Sequence, residues 1–161
     1  DQDAANYYIV LCEALIAELN ERDEEAFGTY AALLNHQDQL TEETIRFILE
    51  RVSTTSVRLK DYNNAIFALQ TLSEAYKSDY HTPIYAEMLY LTGNTKLAVD
   101  TFQKYLEENP NDIKTMFRLA DLQFKEKKYD TAKNLYQHIL SQDSNYVPAQ
   151  QRLTEIEEAS T

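Results

Sequence analysis

Catalysis requires nucleophiles, acids, bases or metal ligands within reach of one another, so the sequence is first read for such groups. His36, His81 and His138 lie far apart, and none has a cysteine or second histidine at metal-ligand spacing. No H-E-x-x-H, G-x-S-x-G, P-loop or G-x-G-x-x-G motif is present. The pairs Glu24/Glu25, Glu42/Glu43 and Glu107/Glu108 are chain neighbours, which a helix points about 100° apart. They read as solvated faces rather than as proton-sharing dyads. Cys12 lies in the run Tyr7-Tyr8-Ile9-Val10-Leu11-Cys12 and is expected to pack as a small apolar group. Lys125-Glu126-Lys127-Lys128 reads as a soluble turn, with a docking site for an acidic segment as the alternative. No catalytic residue, cofactor or metal site is expected, and the chain reads as non-enzymatic.

The elements that would position any site are helical. Two glycines and three prolines in 161 residues are too few for a loop-rich β protein, and the frequent Ala, Leu, Glu, Lys and Gln favour helix. Twelve tyrosines and six phenylalanines, with no tryptophan, supply aromatic knobs for packed helices or for a groove. The net charge is −12 and the pI about 4.6, which argues against a nucleic-acid partner. Residues 1–50 hold 12 acidic and 2 basic side chains, a net of −10. That concentration suggests either a solvated acidic surface or a patch that attracts a basic partner. No segment reaches the roughly 20 apolar residues that cross a membrane, so no membrane insertion is expected. A lone cysteine forms no internal disulfide and leaves the compartment open between cytoplasm and periplasm or cell envelope. The first residue is Asp1 rather than Met, as after processing or excision from a longer chain.

Self-similarity organises the chain. Residues 79–112 and 113–146 align without a gap: Ala86 with Ala120, Ala98 with Ala132, Phe102 with Tyr136, and Leu106 with Leu140. A copy one residue shorter precedes them at 46–78, with Ser53, Tyr62, Ala65, Leu69 and Leu72 in the equivalent places. This 34-residue offset, with small residues at repeat positions 8 and 20 and a large apolar residue at 24, resembles the tetratricopeptide repeat (TPR), a helix–turn–helix unit. Position 8 is Ser53, Ala86 and Ala120; position 20 is Ala65, Ala98 and Ala132; position 24 is Leu69, Phe102 and Tyr136. The pattern is degenerate, since position 4 is Leu49, Thr82 and Met116 rather than Trp. The resemblance implies an all-α fold, a right-handed α-solenoid of helix–turn–helix repeats. Residues 1–45 are expected as an acidic helical hairpin, either a degenerate repeat or a cap, with a linker around His36–Thr41 and an N-cap at Thr41. Residues 46–146 carry the three repeats, and 147–161 form a C-terminal capping helix.

The resemblance also implies where a partner would bind. In this family the first helix of each hairpin lines a concave face through positions 2, 5, 9, 12 and 13. These are Phe47, Glu50, Thr54, Val57 and Arg58, then Tyr80, Pro83, Glu87, Tyr90 and Leu91, then Lys114, Phe117, Asp121, Phe124 and Lys125. Aromatic groups there point to a peptide segment or an amphipathic helix as ligand, unless the protein buries them itself. Lys114 and Arg118 match two members of the carboxylate clamp of chaperone-binding repeats, but Glu50, Thr54 and Ile84 occupy the other places. The expected function is a protein-interaction scaffold or adaptor within a larger assembly. A type III secretion-class chaperone for a hydrophobic client and a self-associating structural protein, a homo-oligomer, remain the alternatives.

Overall fold

The computed structural model describes residues 2–76 and 79–158. All regular structure among them is helical: α1 (Gln2–Leu19), α2 (Asp23–Leu34), α3 (Glu42–Arg58), α4 (Tyr62–Tyr76), α5 (Thr82–Leu91), α6 (Thr95–Glu108), α7 (Ile113–Lys125), α8 (Tyr129–Gln142) and α9 (Val147–Glu158). Short 3₁₀ turns occupy Gln37–Gln39 and Asp79–His81. The all-α class expected from the repeat is the observed one. The chain divides into two compact units, Asp1–Ala98 and Val99–Thr161.

Each helix starts and stops for local reasons. Thr41 caps α3, its hydroxyl accepting the Thr44 amide at 3.2 Å, and Glu42 and Glu43 place negative charge in the first turn. Asp112 caps α7 by accepting the Thr115 amide at 3.1 Å and the Thr115 hydroxyl at 2.8 Å. Tyr105 donates a further hydrogen bond to the same carboxylate. Pro110 follows α6, where a missing N–H costs no helical bond.

The four turns inside hairpins are alike. Glu21, Lys60, Gly93 and Lys127 all have positive φ, and the next residue's amide reaches back to a carbonyl five residues earlier. These bonds are Arg22 to Ala17, Asp61 to Ser56, Asn94 to Leu89 and Lys128 to Gln123. This is the Schellman closure with its left-handed residue after the helix end. Only Gly93 adopts that conformation without steric cost.

The repeat register accounts for the interior. Ala86, Ala120, Ala65, Ala98 and Ala132 are fully buried and Ser53 nearly so; Leu69 shares a core cluster with Ala65, Tyr136 shares one with Ala120 and Ala132, and Phe102 is buried as well. Residues 1–45, whose first helix fits the pattern poorly by sequence, follow the same plan. Ala14, Ala26 and Tyr30 are fully buried with the spacing of Ser53, Ala65 and Leu69, and Glu21 makes the matching turn. Five extra residues around the 3₁₀ turn at Gln37–Gln39 then displace the next hairpin from the period. In the first unit α2 packs on α3 and α4 on α5; in the second α8 packs on α9. One expectation is overturned: Cys12 is exposed, not packed in a core. Its helix buries Ala14 and Ala17 instead, which face away from Cys12 on the 3.6-residue period.

Two measurements test this account. Ala65→Leu is expected to lose about 1–3 kcal/mol by overpacking the helix contact, whereas Lys60→Gly should be neutral or gain up to about 1 kcal/mol. Urea denaturation reads both, and an unchanged midpoint for Ala65→Leu would refute the register. The second concerns Asp112. Burial opposes its ionisation, but the hydrogen bonds from Thr115 and Tyr105 outweigh this and hold its pKa below the ordinary 3.8. Its stabilisation is therefore complete above the unfolded carboxylate range and disappears as pH falls through the folded pKa. Asp112→Ala should cost about 1 kcal/mol at neutral pH, and the difference from wild type should vanish in acid.

Candidate interaction faces

The first-helix positions are best followed one unit at a time. In Asp1–Ala98, Phe47 is exposed with the Arg51 guanidinium 5.7 Å from its ring centre. Tyr80 is 79% exposed, its ring edge-on to His81 at 5.2 Å. Leu91 and Glu87 are exposed, and Tyr90 is half-buried. Thr54 is half-buried and its hydroxyl donates to the Glu50 carbonyl at 2.8 Å, so that donor is already used. Pro83 is buried and contributes nothing to a face. Arg58 is committed internally, with its guanidinium on Asp23 (2.6 Å) and Glu18 (3.1 Å).

In Val99–Thr161 the same positions are largely taken up by the unit itself. Phe117 packs against Tyr136 (5.7 Å between ring centres) and Tyr146 (5.6 Å). Phe124 lies against Tyr129 at 5.5 Å and under the Arg152 guanidinium at 5.1 Å. Asp121 accepts from Arg152 at 2.7 Å and pairs with Lys125 at 3.3 Å. Helix α9 thus covers with Arg152 the face that α7 was expected to offer. Lys114 and Arg118 are exposed. Of the five aromatic side chains, Phe47 and Tyr80 are open to solvent, while Phe117 and Phe124 serve packing.

Sequence reading missed a polar relay in the first unit, of which the second holds only the carboxylate–arginine half. Tyr30 donates to Glu18 at 2.8 Å, and Glu18 also meets Arg51 (3.5 Å) and Arg58. Burial, then the Glu18 hydrogen bond, raises the Tyr30 pKa well above the usual phenol value. In the second unit Tyr136 is raised first by burial and then by the charge of Asp121. Its hydroxyl is buried with no hydrogen-bond partner among the described residues, while Asp121 bonds to Arg152. Tyr30 and Tyr136 hold repeat position 24, and Arg51 and Arg152 hold position 6 of the following helix. The five-residue insertion hid this spacing in the sequence.

Clefts also open on the other side of the first helices. One, of about 690 Å³, runs between α6 and α8 over Met116, Leu119 and Gln123 of α7. Another, of about 470 Å³, runs between α2 and α4 over Leu49 and Val52 of α3. Leu49 with Met116, and Val52 with Leu119, share repeat positions 4 and 7, roughly 150° around the helix from the expected binding positions. Ser56 and Gln123, both at position 11, carry buried side-chain oxygens with no hydrogen bond among the described residues. Among those residues no group of three or more His, Cys, Asp or Glu side chains could hold a metal ion, and no helix is long and apolar enough to cross a membrane.

Comparison with known proteins agrees with this geometry. A family model described as tetratricopeptide repeat matches residues 89–156. TPR repeat-containing protein MJ1428 of Methanocaldococcus jannaschii is 26% identical over 139 residues, which are 86% of this chain and 22% of that protein. The chain therefore spans about a fifth of that relative's length. Among solved structures, MamA is similar with a TM-score of 0.75 at 16% identity, over 91% of this chain and 84% of its own. YrrB, described as a TPR protein with an unusual peptide-binding site, gives a TM-score of 0.68 at 16% identity, over 94% of this chain and 76% of its own. Identities this low establish the fold alone.

Proposed function

We propose that this chain, which belongs to the tetratricopeptide repeat family, is a protein-interaction scaffold that holds an apolar segment of a partner protein on the first-helix face of the unit Asp1–Ala98. The observation that carries this reading is the exposure of Phe47, Tyr80 and Leu91 at repeat positions 2 and 13. Large rigid side chains lose little entropy on binding and dominate interface energetics. Arg51 lies over Phe47, so a cation and an aromatic surface are presented together. The peptide-binding description of YrrB supports a peptide-like ligand for a fold of this kind. The net charge of −10 over residues 1–50 would speed encounter with a segment that has basic flanks, by long-range steering. Lys114, Phe117, Arg118, Asp121 and Phe124 would have a lesser role, since α9 already engages Asp121 and Phe124.

Selection of a phage-displayed random peptide library on the intact chain tests the face. Combined Phe47→Ala and Tyr80→Ala replacement is expected to weaken the selected peptides by about tenfold or more, with the helical spectrum and melting temperature retained. Equal binding to wild type and double variant would overturn the assignment.

A further inference from the structure

The cleft of about 690 Å³ between α6 and α8 lies within the unit Val99–Thr161, away from the first-helix face. Its floor is apolar, made by Met116 and Leu119, which are buried, and by Leu106 and Leu135, which are half-buried. The polar groups around that floor are mostly carboxamides. Gln103, Gln123 and Asn134 bring one each from α6, α7 and α8. Glu107 is the one Asp, Glu, Lys or Arg among the described residues that line the cleft, in a chain with 26% charged residues. His138, also at the rim, meets Gln142 through a ring nitrogen at 2.9 Å.

Gln123 marks this cleft as a site with a contact still to make. It is 4% exposed, and its Oε1 is buried with no hydrogen bond among the described residues. A buried acceptor left unpaired is costly, and a donor entering the cleft would relieve that cost. The repeat does not require these side chains. At repeat positions 25, 22 and 11 the second unit has Gln103, Asn134 and Gln123, where the first unit has Ala31, Phe67 and Ser56. Hairpin packing is achieved with either set, so it does not dictate the carboxamides.

We propose that this cleft binds an extended, uncharged segment of a partner protein. Main-chain amides of that segment pair with the carboxamides of Gln123 and Asn134, while one aliphatic side chain enters over Met116 and Leu119. A carboxamide offers a carbonyl acceptor and N–H donors, the counterpart of a peptide group. Pairing the two leaves no charge to be desolvated. A phosphorylated or carboxylate ligand would find no Lys or Arg among the described lining residues, and Glu107 at the rim would repel it. The dimensions agree. Seven-residue steps separate Met116 from Gln123 and Thr131 from His138, roughly 10 Å along each helix, the length of about three residues of extended chain. The site is separate from the first-helix face of the other unit and does not rest on the function proposed for that face.

Panning a linear random-peptide phage library against the full chain carrying Phe47→Ala and Tyr80→Ala tests the cleft with the first-helix face disabled. Peptides with an aliphatic residue among uncharged neighbours should be selected. Adding Gln123→Met, which keeps the side-chain size and removes the carboxamide, should weaken them about tenfold. The melting temperature should not fall, because the acceptor removed has no partner in the fold. Asn134→Ala, at an exposed position, should weaken them about threefold and guards against a folding defect at Gln123. N-methylation of the pairing amide in a selected peptide should also cost about tenfold, with no further loss on adding Gln123→Met. Failure to select any peptide would overturn the proposal. So would peptides indifferent to both substitutions, as bound elsewhere, or binding that survives N-methylation at each amide in turn. Failure of the first-helix face in its own experiment leaves all of these outcomes unchanged.

Discussion

The close approach of the two helices in each hairpin, permitted by a residue no larger than alanine or serine on each side, is the constraint from which the rest follows. Ala14 with Ala26, Ser53 with Ala65, Ala86 with Ala98 and Ala120 with Ala132 occupy the same two places in four hairpins, all buried. Close packing of backbones leaves no room for a larger group without strain. A large side chain at repeat position 24, Tyr30, Leu69, Phe102 or Tyr136, is buried in all four hairpins. The turn must then reverse the chain within a few residues, and the left-handed residue after the first helix does so in all four cases. Three of those residues are not glycine, so the tertiary contact supports a backbone conformation that local preference resists.

Polar groups complete what the small-residue contacts begin. A hydroxyl at position 24 brings an acceptor problem into a dry region, and the first unit solves it with Glu18, which in turn is neutralised by Arg51 and Arg58. The network ties α1 and α2 to α3, across the insertion that breaks the sequence period. Asp121 and Arg152 play the corresponding part for α7 and α9. These side chains are charged, yet most of their capacity is spent within the fold. Counting them as free binding groups on the strength of residue type alone would mislead.

That distinction marks what the sequence made legible. The 34-residue offset and the small residues were enough to predict the helices, their pairing and their buried face, because steric exclusion acts at fixed positions whatever the surroundings. The N-terminal hairpin was only half legible: Ala26 and Tyr30 stood out, but an apolar outer stripe on α1 obscured the position of Ala14. The same stripe misdirected the reading of Cys12, since an apolar run gives no clue to which side faces water when both sides are apolar. At the candidate face, aromatic type could not separate Phe47 and Tyr80, which are open, from Phe117 and Phe124, which meet Tyr146, Tyr129 and Arg152. The cover by Arg152 depends on where α9 packs, and no periodicity encodes that. The clefts over Leu49 and Met116 were equally invisible, as they arise from the spacing between second helices.

The covering of α7 by α9 also indicates what chemistry a first-helix face rewards. Arg152 lies over Phe124 while bonding to Asp121 and Glu155, so one cation satisfies a π-face and two carboxylates. Leu153, next to it, adds apolar contact. A guanidinium is weakly hydrated and planar, which makes this a less costly way to cover an aromatic side chain beside acidic groups than a wholly apolar lid would be. In the other unit Phe47 has an arginine of its own, Arg51, which also reaches toward Glu18. A segment docking there meets a ring already partly covered by a cation, and gains most by adding apolar surface around Phe47 and Tyr80 rather than a second positive charge. Basic flanks would then act at longer range, in encounter, while an apolar centre would supply the contact.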